Sequence, residues 1–306
     1  MDKLKKNDNN DPFPVLTHPE KIIYPKEKIT KQEVADYYQA VAKWIIPQIH
    51  DRPLSLVRCP DGTSKTCFYQ KHFTNAQRGK SDVQAVHEVM IEESSGNKPY
   101  VTVDSAAGLM TLVQTDGFEF HAWGCRAPDI EHPDQIVMDF DPSPDVGFNE
   151  VKEAASELKE ILDHLKLKSF VKVTGGKGLH VHIPVAPIYS WDQIKEFSKV
   201  LAQQMAEISP DRYTATLAKA ARKNKIFVDY LRNGRSATAV VPYSLRAREV
   251  SSVALPIAWD ELKKIKDPSE FTLKKALALL EKRKVDPWKG ADTLQQKISL
   301  IVNNAT

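Results

Sequence analysis

Cysteine is scarce in this chain of 306 residues: there are three, Cys59, Cys67 and Cys125, and no two form a C-x-x-C pair. An odd set without that spacing argues against a zinc or disulfide framework and predicts reduced thiols in cytoplasm. No apolar run approaches the ~20 residues that span a bilayer. Residues 1–10 lack the apolar core of a signal peptide, so no membrane attachment is expected. Charge is nearly balanced, with 43 Lys and Arg against 40 Asp and Glu for a net +3, which by itself does not announce a nucleic-acid partner. There is no internal repeat, no G-x-x-x-x-G-K-[ST] phosphate loop, and no linker rich enough in Gly, Ser or Pro to divide the chain. The polar residues 1–11 read as a disordered tail, which leaves 12–306 as a single domain with a substantial core.

What is present begins with Val137-Met138-Asp139-Phe140-Asp141-Pro142, an apolar strand ending in two aspartates. Alternation along a strand sends Asp139 and Asp141 to one face while Met138 and Phe140 pack beneath. Two carboxylates this close repel one another unless a cation neutralises them, and an all-oxygen set suits Mg or Mn; alone, the pattern also fits a solvated strand end. Some thirty residues on, Lys172-Val173-Thr174-Gly175-Gly176-Lys177-Gly178-Leu179-His180-Val181-His182 reads as strand, glycine turn, strand. Its glycines permit positive φ and leave amides facing an anion, with Lys177 among them; a plain hairpin is the simpler alternative. His180 and His182 share one face, as polar-face residues or as a metal pair. A third apolar strand ends at Asp229, the single acid between Arg212 and Arg248 among nine basic residues. Together these features fit two-metal phosphoryl transfer, in which carboxylates hold cations and basic groups hold a triphosphate.

The order V-M-D-F-D-P, T-G-G-K-G-L-H, F-V-D-Y-L-R-N resembles the three motifs of the archaeo-eukaryotic primase superfamily, specifically the polymerase domain of the ligase D type, over Leu16 to about Trp288. The resemblance implies that Asp139, Asp141 and Asp229 ligate two Mn or Mg ions. It implies that Thr174 and His180 bind the nucleoside triphosphate, that Lys177 stands in the same turn, and that His121, Arg232 and Arg246 lie near the nucleotide. It further implies that Lys21 and Lys31 grip the 5′ phosphate at a break, that Phe68 and Tyr69 stack on bases, and that Arg58 and Lys71 face phosphates. Tyr69 stands where the family has a second Phe. The implied substrate is DNA with 5′-phosphorylated gaps or overhangs, in non-homologous end joining with a Ku-type protein. Since no K-x-D-G ligase motif occurs, a separate DNA ligase is also implied. Family polymerases favour ribonucleotides, for which Thr174 and His121 are the candidates that bond the 2′ hydroxyl.

Periodicity predicts helices over 31–49, 148–165, 191–208 and 271–284, and strands near 54–58, 66–70, 100–103, 136–140, 169–173, 179–185 and 225–231. This mixture predicts an α+β fold around a mostly antiparallel sheet flanked by helices, with the catalytic motifs within 136–248. The function expected is primer- and template-dependent nucleotidyl transfer. Two alternatives stand beside it: a metal-dependent nuclease, which leaves Gly176-Lys177-Gly178 and Arg246 without a role, and a binding module without catalysis, which the three aspartates argue against.

Overall fold

The computed structural model describes residues 13–73 and 85–299, so the tail predicted over 1–11 lies outside the described residues. Helices packed with mostly antiparallel sheets bear out the α+β expectation, and the chain divides into two compact units.

The first unit comprises Met1–Pro128, Val240–Leu255 and Phe271–Lys284. Its sheet has the strand order Gly117–Trp123, Leu54–Arg58, Gly96–Val103, Val86–Glu93, with Phe68–Gln70 also paired to Leu54–Arg58. The helix Lys31–Ile49 opens with a capping box: Thr30 Oγ1 accepts from the Glu33 amide, and the Glu33 carboxylate accepts from the Thr30 amide. Val34, Tyr37, Tyr38, Val41 and Ile45 form its buried stripe, as their spacing predicts. The helix Ala106–Gln114 goes beyond the sequence expectation. So does the hairpin Val86–Glu93/Gly96–Val103, of which only 100–103 reads as strand. Gly96 to Pro99 are not buried while the last four residues are, so an apolar signal exists only where the strand meets the core.

Cys59 and Cys67 correct the expectation of reduced thiols, because they are joined as a disulfide. The physical reason is register. Arg58 faces Phe68 across the antiparallel pair, so the next residues out, Cys59 and Cys67, stand opposite with Cα atoms 4.3 Å apart. Cys125 is buried and takes no part in that disulfide.

The second unit comprises Asp129–Ala239, Pro256–Glu270 and Val285–Thr306. Its sheet order is Tyr213–Thr214, Ile226–Asp229, Gln135–Pro142, Leu179–Pro184, Phe170–Val173, Pro256–Ile257, antiparallel except for the first pair. The helices Phe148–His164 and Trp191–Ile208 contact the central strand Gln135–Pro142. Met138, Phe140, Val181, Ile183, Val171 and Val228 lie in the core, each such burial contributing about 1.5–3 kcal/mol. The strand predicted over 225–231 stops at Asp229, and a 3₁₀ turn Leu231–Asn233 follows. Asn233 explains the stop: its amide side chain accepts from the Val137 N–H at 2.7 Å and donates to the Val137 carbonyl at 2.9 Å. It thereby satisfies the backbone groups that strand pairing no longer reaches. Among the described residues no helix is long and apolar enough to cross a membrane.

Candidate active site

Register across the second unit's sheet aligns four polar side chains. Lys172 stands opposite His180, His180 opposite Asp139, and Asp139 opposite Asp229, so on four neighbouring strands one face carries Lys, His, Asp, Asp in a row. Asp141, two residues beyond Asp139, shares that face but is more exposed, at 60% of its side chain against 13% for Asp139. His180 Nε2 lies 3.4 Å from Asp139 Oδ2, and the Arg232 guanidinium is 3.3 Å from the same oxygen and 3.8 Å from Asp229. Arg222 stands 4.0 Å from Asp141 and lies over the Phe227 ring, while the Leu231 amide donates to Asp229 at 2.7 Å.

Burial opposes ionisation of Asp139, but His180, Arg232 and Lys172 outweigh it and hold its carboxyl down to about 2. Burial and the neighbouring Lys172 push His180 down to about 4, against the pull of Asp139. At neutral pH His180 therefore orients Asp139 by hydrogen bonding, and the stabilising charge is that of Arg232 and Lys172. Asp141 and Asp229 go the other way: burial first, then repulsion from Asp139, raises both. Among the described residues no three His, Cys, Asp or Glu side chains are already grouped as a ready set of metal ligands. The donor chemistry nevertheless fits hard divalent cations: three carboxylates on two adjoining strands supply an all-oxygen set.

The glycine turn is built around Thr174. Its hydroxyl donates to the Gly178 carbonyl at 3.0 Å and accepts from the Gly176 amide at 3.2 Å, so the side chain shapes the loop. Gly175 has φ 65°, in the region that favours glycine. A Cβ at Gly178 would meet the Phe140 carbonyl oxygen at 2.2 Å, so only glycine lets the turn lie against the aspartate strand. Lys177 is exposed at the tip. His182 is buried with its ring 4.7 Å from Trp288, which supports the structural reading of that histidine.

In the first unit the other predicted groups form two clusters. Glu119 Oε1 accepts from His121 Nε2 at 2.7 Å and pairs with Arg246 Nε at 3.0 Å, while Oε2 accepts from the Ala247 amide at 2.7 Å. Burial would raise this carboxyl, but His121, Arg246 and the Ala247 amide bring it down to about 2. The Tyr69 and His121 ring centres lie 5.6 Å apart in an edge-to-face arrangement. In the second cluster Lys21 and Lys31 reach Asp116 at 3.6 and 3.0 Å, and Lys31 also donates to the Gln114 carbonyl at 2.8 Å. Arg58 donates to the Thr115 carbonyl at 2.7 Å and to Gln70 at 2.9 Å, with Phe68 under its guanidinium. Phe68 and Tyr69 are 44% and 50% exposed, unusual for neighbouring aromatic side chains and open to stacking. Lys71 is paired with Glu93 at 2.9 Å.

Sequence reasoning does not single out Glu119, Lys172, Asn233 or Asp116. Glu119 carries a legible signal, since it precedes His121 by two on one strand and so shares its face. Lys172 is a lysine inside an apolar strand, and it is fully buried. Asp116 meets its lysines only through long-range folding, so no local pattern marks it.

Residues 30–288 match the LigD primase-polymerase domain family, and the chain belongs to that family. Its structure is similar to that of the polymerase domain from Mycobacterium tuberculosis ligase D in complex with DNA. The TM-score is 0.83 at 29% identity, covering 91% of this chain and 98% of that one. It is 34% identical over 285 residues to the multifunctional non-homologous end joining protein LigD of Pseudomonas aeruginosa, covering 93% of this chain and 33% of that protein. It is 27% identical over 269 residues to the bifunctional protein of that name from Bacillus subtilis, covering 88% of this chain and 42% of that one. The chain thus spans a third to two fifths of the length of these relatives.

Proposed function

We propose that this chain is a template-directed nucleotidyltransferase that extends primer 3′ ends and fills gaps at DNA double-strand breaks during non-homologous end joining. The observation that carries this reading is the in-register row ending in Asp139 and Asp229, with Asp141 on the same face and Arg222 and Arg232 against the carboxylates. Membership of the LigD primase-polymerase domain family supports it. Asp139, Asp141 and Asp229 are the residues that would hold two divalent ions, Mn or Mg. When bound, such ions supply Lewis-acid activation of the primer hydroxyl and neutralise developing charge on the triphosphate. His180 orients Asp139. Arg232, Lys177, Arg246 and His121 supply positive charge or hydrogen bonds to the nucleotide, and Thr174 shapes the turn whose amides face it. Lys21 and Lys31, with Arg58, bind a 5′ phosphate at the break; Phe68 and Tyr69 stack on bases, and Lys71 faces the backbone. A Ku-type protein and a DNA ligase complete the reaction setting.

The deciding experiment incubates labelled primer–template with Mn and nucleotides. Products longer than the primer, ordered by the template, support the reading; shortened products indicate a nuclease, and an unchanged primer a binding module. The same assay with matched ribo and deoxy substrates tests sugar choice, for which a ribonucleotide preference that Thr174→Ala narrows is expected. Equal efficiencies would sink the sugar claim alone.

A further inference from the structure

Glu119 stands at the meeting of two segments far apart in sequence. The strand Gly117–Trp123 carries it beside His121, and the loop through Arg246 is tied to that strand several times over. Val241 N–H donates to the Phe120 carbonyl at 3.0 Å, and the Phe120 amide donates to Ser244 Oγ at 2.9 Å. Tyr38 bridges the two, donating to the Phe118 carbonyl at 2.6 Å and accepting from the Leu245 amide at 2.9 Å. Tyr24 holds the Arg246 carbonyl at 3.0 Å. The loop cannot shift without breaking several buried hydrogen bonds, and the result is that Arg246 Nε and His121 Nε2 converge on one carboxylate oxygen. Glu119 is only 7% exposed on its side chain, so it is a poor candidate for direct contact with substrate. Arg248 lies close enough to Arg246 and Glu119 to feel both charges. One carboxylate therefore stands among more positive charge than it can neutralise, which favours an anionic ligand.

We propose that Glu119 is a positioning residue for nucleotide binding: it fixes the His121 ring and the Arg246 guanidinium in one arrangement, so that both meet the incoming nucleotide preorganised. This rests on the polymerase reading above. A carboxylate accepting from a histidine ring sets which nitrogen carries the proton and how the ring is turned. The same oxygen fixes the plane of the guanidinium, and holding two binding groups in place lowers the ordering cost of capture.

The test is steady-state primer extension by wild type, Glu119→Gln and Glu119→Asp. It is accompanied by direct binding of a non-hydrolysable nucleoside triphosphate and by ¹⁵N spectra of the His121 imidazole. Glu119→Gln keeps the shape but loses the charge-assisted bonds, each of which is worth tenfold or more in affinity. We expect the nucleotide KM to rise about tenfold or more with a smaller change in kcat, and the His121 spectrum to leave the Nε2-protonated tautomer. Affinity for a 5′-phosphorylated end should be unchanged. Glu119→Asp should recover part of the affinity, and if Glu119→Gln does not fold, the aspartate variant's intermediate KM carries the test. A wild-type nucleotide KM in either folded variant, or a loss equal to that seen for 5′-phosphate ends, overturns the inference. If wild-type protein extends no primer, the polymerase reading fails first and the inference falls with it.

Discussion

Asp139 and Glu119 are both buried and both held down to about 2, yet their surroundings differ in composition. Asp139 shares its face with Asp141 and Asp229, and the repulsion raises both neighbours. Glu119 is surrounded by His121, Arg246 and the Ala247 amide, with Arg248 near. The first centre gathers three carboxylates on one face, and the second sets one carboxylate among three basic side chains. The difference teaches that a depressed carboxylate pKa says little by itself about ligand chemistry. What decides is which groups are gathered there: clustered carboxylates suit cations at one centre, and clustered basic groups suit a polyanion at the other.

The largest expected effect breaks the first centre. Asp139→Asn or Asp229→Asn should lower primer extension by roughly 10²–10³-fold or more, the scale seen when a group that stabilises transition-state charge is removed. Without added metal, Asp229→Asn should raise the unfolding midpoint because it relieves repulsion. Glu119→Gln should lower the midpoint, with a stability loss on the order of 3 kcal/mol, because the Arg246 guanidinium loses its buried counter-ion. Thermal unfolding of both variants checks the opposite signs; shifts in the same direction would erase the contrast.

Acid titration sharpens the comparison. Glu119 falls from its ordinary 4.5 to about 2, a difference worth on the order of 3 kcal/mol at ~1.4 kcal/mol per pH unit. Because the folded value is the lower one, this stability is present above about pH 4.5 and is lost as pH falls through about 2. Asp141 and Asp229 are raised, so their ionised forms cost stability as pH climbs out of the carboxylate range. Denaturation measured from pH 2 to 7 should show a shallower acid loss in Glu119→Gln, and Asp229→Asn should gain most at neutral pH.

The Cys59–Cys67 disulfide lies outside both carboxylate centres and provides a control. Closing so short a loop is worth about 2–3 kcal/mol by chain entropy. Reduction should lower stability by that scale while leaving metal and nucleotide affinities in place, as calorimetry with and without reductant would show. The smallest effect concerns the lysines around Asp116. Replacing Lys21 and Lys31 with glutamine should remove a several-fold preference for 5′-phosphorylated over unphosphorylated ends, and in wild type that preference should weaken with salt. Equal wild-type affinities for the two ends would remove the claim.

The acidic row is legible because strand alternation is strict: Asp139 and Asp141 in an apolar run must share a face, and the spacing of Asp229 leaves it at a strand end. Its continuation to Lys172 is not legible, because register between strands depends on where a turn starts, here at Thr174 and Gly178. The helix stripe Val34, Tyr37, Tyr38, Val41, Ile45 follows directly from periodicity. The stretch Gly96–Pro99 gives no such signal, since its residues are not buried. The Cys59–Cys67 pairing escapes a count of cysteine spacings because the Arg58–Phe68 register creates it. Arg246 carries no sign of Glu119 in its own neighbourhood, because 127 residues separate them and the loop's hydrogen bonds bring them together.

The most direct measurement is a Mn²⁺ titration of wild type, Asp229→Asn and Glu119→Gln, following the free-ion paramagnetic resonance signal without nucleotide. Clustered carboxylates at one centre and clustered basic groups at the other predict that Asp229→Asn weakens Mn²⁺ binding at least tenfold while Glu119→Gln binds as wild type does. Unchanged affinity in Asp229→Asn, or an equal loss in Glu119→Gln, would contradict the account.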